Sequence, residues 1–159
     1  MSLDLDESWL NDRSEFQRNF VHGLRNPIGL HLQYHVEGER AVTEWTPSEE
    51  HVGFPGLAHG GLAAAVLDDA MGRCTAMLHR WVVTARQTVR FRTGAPIGTA
   101  LRVEGWMTRV QRRVITTQGR ILLPDGGIVA DSEATFLPIP EPALQEMLRN
   151  WPGFADYIE

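Results

Sequence analysis

HGGLAAAVLDDAMGRCTAM, residues 59–77, is the stretch that decides how this chain is read. After His59 and the pair Gly60 and Gly61 it runs without a proline and with only Gly72 as a further glycine. Apolar residues recur at Ala63, Val66, Leu67, Ala70, Met71, Cys74 and Met77. That recurrence predicts one long helix of roughly five turns. From Leu62 to Leu67 the apolar stripe widens, so the first turns are expected to be covered on two sides, by the chain's own sheet and by a second body.

Outward from the helix, the pattern changes to that of strands. Residues 29–36 alternate Leu30, Leu32, Tyr34 and Val36 against His31, Gln33 and His35, which reads as a half-buried strand turned by Gly38 into a partner at 40–46. His31 and His35 fall on the polar side and are read as solvated, since no carboxylate or cysteine spacing completes a metal shell around them. Residues 47–58 have no periodicity and read as a loop that delivers the chain to the helix. Strands are expected at 81–93, 99–110, 112–123 and 128–137, the last two joined by PDGG at 124–127. A loosely helical spacing predicts an N-terminal helix within 4–23, broken at Asn26 and Pro27. Leu144, Met147, Leu148 and Trp151 give a short helical tail. The division is an extension at 1–25, a domain at 26–140 and a tail at 141–159. About six antiparallel strands and one long helix make an α+β domain of two layers, because only that helix can cover the sheet's apolar face.

A chain of 159 residues is long enough to bury one core. Its net charge of -5, with no basic stripe, argues against nucleic acid as a partner. All 15 basic residues are arginine, so a bound phosphate would be met by guanidinium groups or backbone amides. No apolar run reaches the length of a membrane span, and the first twenty residues are polar and acidic, so no membrane contact and a cytoplasmic location are expected. The single Cys74 lies on the apolar side of the helix and reads as buried filler, leaving no disulfide or cysteine metal cluster. The five tryptophans read as scattered core or interface anchors.

Chemistry concentrates on the helix. Asp68 and Asp69 lie at nearly equal angles from the centre of the apolar stripe, so periodicity does not choose between them. Asp69 has Arg73 four residues on, a ready solvent-side ion pair, whereas Asp68 has no local partner. An acid on a buried flank without a partner must find hydrogen bonds or carry a raised pKa, and either state suits a catalytic carboxylate. At the helix start, the amides after His59 have no internal acceptor and, backed by the helix dipole, suit a developing negative charge; glycines there also suit tight packing. On the strand at 81–93, Thr84, Arg86, Arg90 and Arg92 share one parity, giving a basic face.

HGG at 59–61, an acid nine residues after the His, PG at 55–56 and VVTARQTVRF at 82–91 together resemble the hotdog-fold thioesterases of the PaaI-like group and the related thioesterase-superfamily-member group. The likeness runs from NPIGLHLQYHVEGER to FLPI at 136–139. It implies a curled antiparallel sheet of about six strands wrapped around the central helix, hydrolysis of an acyl-CoA thioester, and no cofactor, coenzyme A being part of the substrate. The resemblance assigns Asp68 as general base or nucleophile, the Gly60 amide as the carbonyl's hydrogen-bond donor and Thr84 as an orienting hydroxyl. His59 then positions the loop or the substrate. Gly61, Phe54 and Leu57 are expected against the substrate, and Arg86, Arg90 and Arg92 at its phosphates. The Asn or Gln that some members carry six or seven residues before the motif His is absent, since Gly53 and Val52 stand there; His51, with Glu50, is the nearest substitute. A non-catalytic acyl-CoA-binding protein and an enoyl-CoA hydratase or dehydratase are the alternatives. Gly60 and Asp68 are about 12 Å apart along a helix. One chain therefore cannot apply both to one carbonyl, and a homodimer with shared sites is expected. The resembled enzymes are often dimers of dimers.

Overall fold

The structure, a computed structural model, describes residues 9–12, 14 and 16–157. Its elements in chain order are β1 (His35–Glu37), β2 (Arg40–Trp45), β3 (Val52–Phe54), β4 (Leu57–Ala58), α1 (Gly60–Ala76), β5 (Val82–Phe91), β6 (Leu101–Val110), β7 (Ile115–Leu122), β8 (Ile128–Pro138) and α2 (Glu141–Asn150). Six strands form one antiparallel sheet in the order β1-β2-β6-β7-β8-β5, and β3 and β4 form a separate small hairpin. The sheet of six strands wraps α1 as expected and is open, with β1 and β5 as its edges among the described residues.

Alternation decides which face meets the helix. β7 turns Ile115, Thr117, Gly119 and Ile121 inward, and β8 turns Ala130, Ser132, Ala134 and Phe136 the same way. Against them α1 sets Ala63, Val66, Leu67, Ala70, Met71 and Cys74, all buried. Gly105 and Gly119 face each other across β6 and β7. A Cβ on Gly105 would run into the Ala70 carbonyl, and one on Gly119 would meet Met71 Cγ at 3.0 Å. The sheet thus carries a two-glycine saddle on which the helix backbone rests. Gly105→Ala is expected to lose about 3 kcal/mol by overpacking. Gly72→Ala, whose Cβ would meet only the Phe136 ring at 3.7 Å, should gain up to about 1 kcal/mol of helix propensity. Denaturant midpoints of the two variants should therefore move in opposite directions.

Three expectations change. The helix expected within 4–23 falls partly on residues 4–8, 13 and 15, which lie outside the described residues; residues 16–19 have no regular structure and 20–22 and 24–25 are turns. The Asn19 side chain captures the amides of Val21 (2.7 Å) and His22 (3.1 Å), a local arrangement that competes with a helix. The strand expected at 29–36 joins the sheet only at β1. Leu32 and Tyr34 are buried and His31 and His35 exposed, as the alternation requires, but their ladder is replaced by Val21, whose carbonyl takes the Leu32 amide, and by Asn11, whose side chain takes the Tyr34 amide. The supposed loop at 47–58 holds a 3-10 turn (Glu49–His51) and the β3-β4 hairpin.

Trp45 is a buried core anchor and Trp106 lies under the Arg40 guanidinium, but the other three tryptophans are gathered. Trp9 lies 5.5 Å from Trp81, Trp81 lies 4.8 Å from Phe154, and Phe16 meets Trp151 edge-on at 5.7 Å, so both terminal segments meet in one aromatic cluster. The tail helix α2 buries none of its residues. Cys74 is buried as expected, its thiol donating to the Met71 carbonyl and burial pushing its pKa up. Among the described residues, no helix is long and apolar enough to cross a membrane.

Candidate active site

The start of α1 is made by His59. Its Nδ1 accepts the Gly61 amide at 2.9 Å and its carbonyl accepts those of Leu62 and Ala63, so the Gly60 N–H is left with no acceptor among the described residues. It borders a largely apolar hollow of about 280 Å³ lined by Phe54, Leu57, Phe91 and Val129. Phe54 and Phe91 are 76% and 57% exposed, a large apolar surface for one chain to show to water. His51 does not reach this hollow: its Nδ1 accepts the Ser48 amide at 2.9 Å, while its carbonyl holds the His59 amide at 2.7 Å. Glu50 is exposed, and its bond with Ser48 lowers its pKa.

Two turns along the helix, Asp68 is half-buried and accepts the Thr84 hydroxyl at 2.7 Å. Burial raises its pKa, the Thr84 bond draws it partly back, and the charge of Asp69 raises it further. Asp68 and Thr84 border a second hollow of about 160 Å³ that shares no lining residue with the first. The Gly60 amide and the Asp68–Thr84 pair thus border separate hollows within one chain.

Thr84 reaches Asp68 because of a bulge. In the pairing of β5 with β8, Thr84 faces Phe136 but Arg86 faces Thr135, so Ala85 is an extra residue. The parity shared by Thr84 and the arginines in the sequence is broken there. Thr84, Gln87 and Val89 face the helix, where Gln87 also hooks the Ala64 carbonyl at 3.0 Å. Arg86 and Arg90 face the other way, into a groove with Trp106 and Arg120. Arg92 is paired with Asp131 at 2.7 Å and borders both that groove and the Gly60 hollow.

Asp69 does not form the solvent-side pair expected with Arg73. Its side chain is only 9% exposed and is held by His22 Nδ1 at 2.8 and 3.0 Å, His22 itself being 4% exposed. Burial pushes the Asp69 carboxyl up, but His22, by charge and hydrogen bond, and then Arg73 by charge, pull it below its usual range. The buried Tyr34 hydroxyl faces the same carboxylate, and burial, followed by the charge of Asp69, raises its pKa well above the usual value. His22 was missed because it lies 47 residues from Asp69; the available signal was a lone polar side chain between Val21 and Gly23. Asp69→Leu, which strands a buried imidazole, should destabilise the fold by about 3 to 5 kcal/mol, with part of the loss recovered in the His22→Leu double variant. An acid whose pKa is depressed in the folded state stabilises above its unfolded value, and that contribution is lost as pH falls through the folded value. The stability gap between wild type and Asp69→Leu should therefore narrow below about pH 4.

The family model of the thioesterase superfamily matches residues 55–130, which include the helix and both hollows' central residues. The acyl-coenzyme A thioesterase THEM4 of Xenopus laevis is 28% identical over 128 residues, 79% of this chain and 57% of that protein, so the chain spans little more than half of this curated relative. A thioesterase-superfamily protein of known crystal structure matches with a TM-score of 0.73 at 25% identity, over 86% of this chain and 71% of its own. A Streptococcus mutans protein solved with bound acetyl-CoA shares the fold, with a TM-score of 0.66 at 16% identity over 76% of this chain and 97% of its own. With the order of its strands, the helix they wrap and the matched segment all in agreement, the chain has the hotdog fold and resembles the thioesterase superfamily over residues 55–130.

Proposed function

We propose that the protein hydrolyses an acyl-CoA thioester at a site shared between two copies of the chain. The observation that carries this reading is the half-buried Asp68, steadied by Thr84 at 2.7 Å, in a chain whose Gly60 amide is left open in a different hollow. The Gly60 amide holds the thioester carbonyl oxygen as it becomes negative. Asp68 of the other subunit either draws a proton from water that attacks the carbonyl carbon, or attacks that carbon itself to form an anhydride that water then opens. Both routes break the carbon–sulfur bond and release a carboxylate and the coenzyme A thiol, and neither requires a metal or redox cofactor.

The open edge of β5 supports the shared site. Among the described residues it pairs only with β8, and Val83 and Phe91 on it are 51% and 57% exposed. An unpaired edge of ten residues is a template for a second copy. Antiparallel pairing of two β5 strands about their middle sets Thr84 of one chain opposite Val89 of the other, two residues short of Phe91, which brings an Asp68 half toward a Gly60 half. It also covers Leu62 and Ala65 on the outer flank of α1, which are only partly buried. Coenzyme A fits the remaining surface. Arg92 borders the Gly60 hollow, and Arg86 and Arg90, which carry no ion pair among the described residues, continue from it in the outer groove. The acetyl-CoA held by the Streptococcus mutans protein is in keeping with that ligand.

The test is a panel of acyl-CoA thioesters followed by thiol release. Turnover of none of them, with the ligand bound and intact, would turn the reading to a binding protein. Thr84→Val supplies the mechanistic control. Because the Thr84 bond lowers the pKa of a base that works ionised, its loss should move the acidic limb of kcat/KM to higher pH and cost about tenfold or more in rate. An unmoved limb would remove Thr84 from the site.

A further inference from the structure

Segments that carry no catalytic role also border the Asp68 hollow. Trp9 and Asn19, both from the stretch before the sheet, line it together with Trp81, Arg80 and Phe136. Trp9 is fixed in place, stacked on His79 at 4.6 Å and 8° and leaning on Trp81. Asn11, two residues on, exchanges both side-chain hydrogen bonds with the Tyr34 backbone at 2.8 and 2.7 Å. Leu10 is 1% exposed. The stretch then returns to α1 through His22, which closes on Asp69, the neighbour of Asp68.

We propose that this N-terminal stretch is a specificity-determining wall of the acyl site: Trp9 and Asn19 limit the acyl group to a short, compact one, and the His22–Asp69 pair clips the wall to the catalytic helix. The inference rests on the thioesterase reading. Given that reading, the coenzyme must leave toward the Gly60 hollow and the arginines, so the space behind Asp68 is left to the acyl group. A hollow of about 160 Å³ has room for about five water-sized groups. A longer chain would have to displace Trp9 from two aromatic partners. His22 acts here as a positioning residue, through Asp69 and the wall, and touches no reacting atom.

The experiment compares butyryl-CoA with decanoyl-CoA on the full chain and reads the ratio of their kcat/KM values. Because both are measured on one preparation, the ratio is insensitive to any unfolded fraction. Wild type should favour butyryl-CoA by about tenfold or more, the discrimination expected when added methylenes have no room. Trp9→Ala should shift the ratio toward decanoyl-CoA by about the same factor, Trp9→Phe should keep the wild-type ratio, and His22→Gln should shift it in the direction of Trp9→Ala. If Trp9→Ala does not fold, Trp9→Leu takes its place. A wild type that prefers decanoyl-CoA, or an unchanged ratio in active Trp9 variants, overturns the wall. A wild type that turns over neither thioester, nor any other of the panel, overturns the thioesterase reading itself and the wall with it.

Discussion

Asp68→Asn will reduce turnover by about a thousandfold or more while the chain stays folded, because the amide keeps the size and the Thr84 contact but can be neither base nor nucleophile. The same substitution should slightly stabilise the protein. An acid whose pKa is raised in the folded state costs stability where it is ionised, and that cost is relieved as pH falls through the raised value. Asn removes it at neutral pH, so the gain over wild type should shrink on acidification. A structural carboxylate would behave in the opposite way, as is expected of Asp69 one residue later. Steady-state rates and chemical denaturation of the same preparations separate the two acids. A rate loss below about tenfold, or a loss of stability at neutral pH, removes Asp68 from the chemistry.

The second large effect is a recovery. Gly60→Pro removes the open amide at the first helical position, where proline is tolerated, and should be inactive and folded. Asp68→Asn and Gly60→Pro chains produced together should regain activity, since each mixed dimer holds one site with an intact Asp68 and an intact Gly60 amide. At random pairing about half of the dimers are mixed and each has one working site of two, so recovery should approach roughly a quarter of the wild-type rate. Purified mixed dimers that remain inactive, or a wild type fully active as a dilute monomer, would end the shared-site reading. The separation of the two hollows on one helix makes the effect large: it requires complementation between chains rather than within one.

What could be read from residues alone follows the range of the interactions involved. α1 was legible from its apolar recurrence, and so was the need of Asp68, without a local partner, for a hydrogen bond from elsewhere, which Thr84 supplies. β6, β7 and β8 were legible because side chains alternate and PDGG turns. The hairpin of β3 and β4 was not, because its pairing is made by backbone groups in a stretch without alternation. The partner of Asp69 could not be read from helix spacing, which offers only Arg73, because a buried imidazole 47 residues away outcompetes a neighbour on the same helix. The N-terminal stretch has helix-like spacing, yet Leu10, Val21 and His22 are each buried separately, with Asn19 diverting the backbone. Local propensity yields there to tertiary packing.

The extra residue at Ala85 makes β5 a strand in two frames. Upstream of it, alternate positions answer to the helix and its carboxylate; downstream, the positions at the same spacing answer to the outer groove. Substitutions on the two sides of Ala85 are therefore uncoupled even where they share a parity, and an ungapped comparison with a chain lacking that residue assigns one half of the strand to the wrong face. Whether an arginine here is seen as a neighbour of Thr84 or as its opposite depends on counting one alanine.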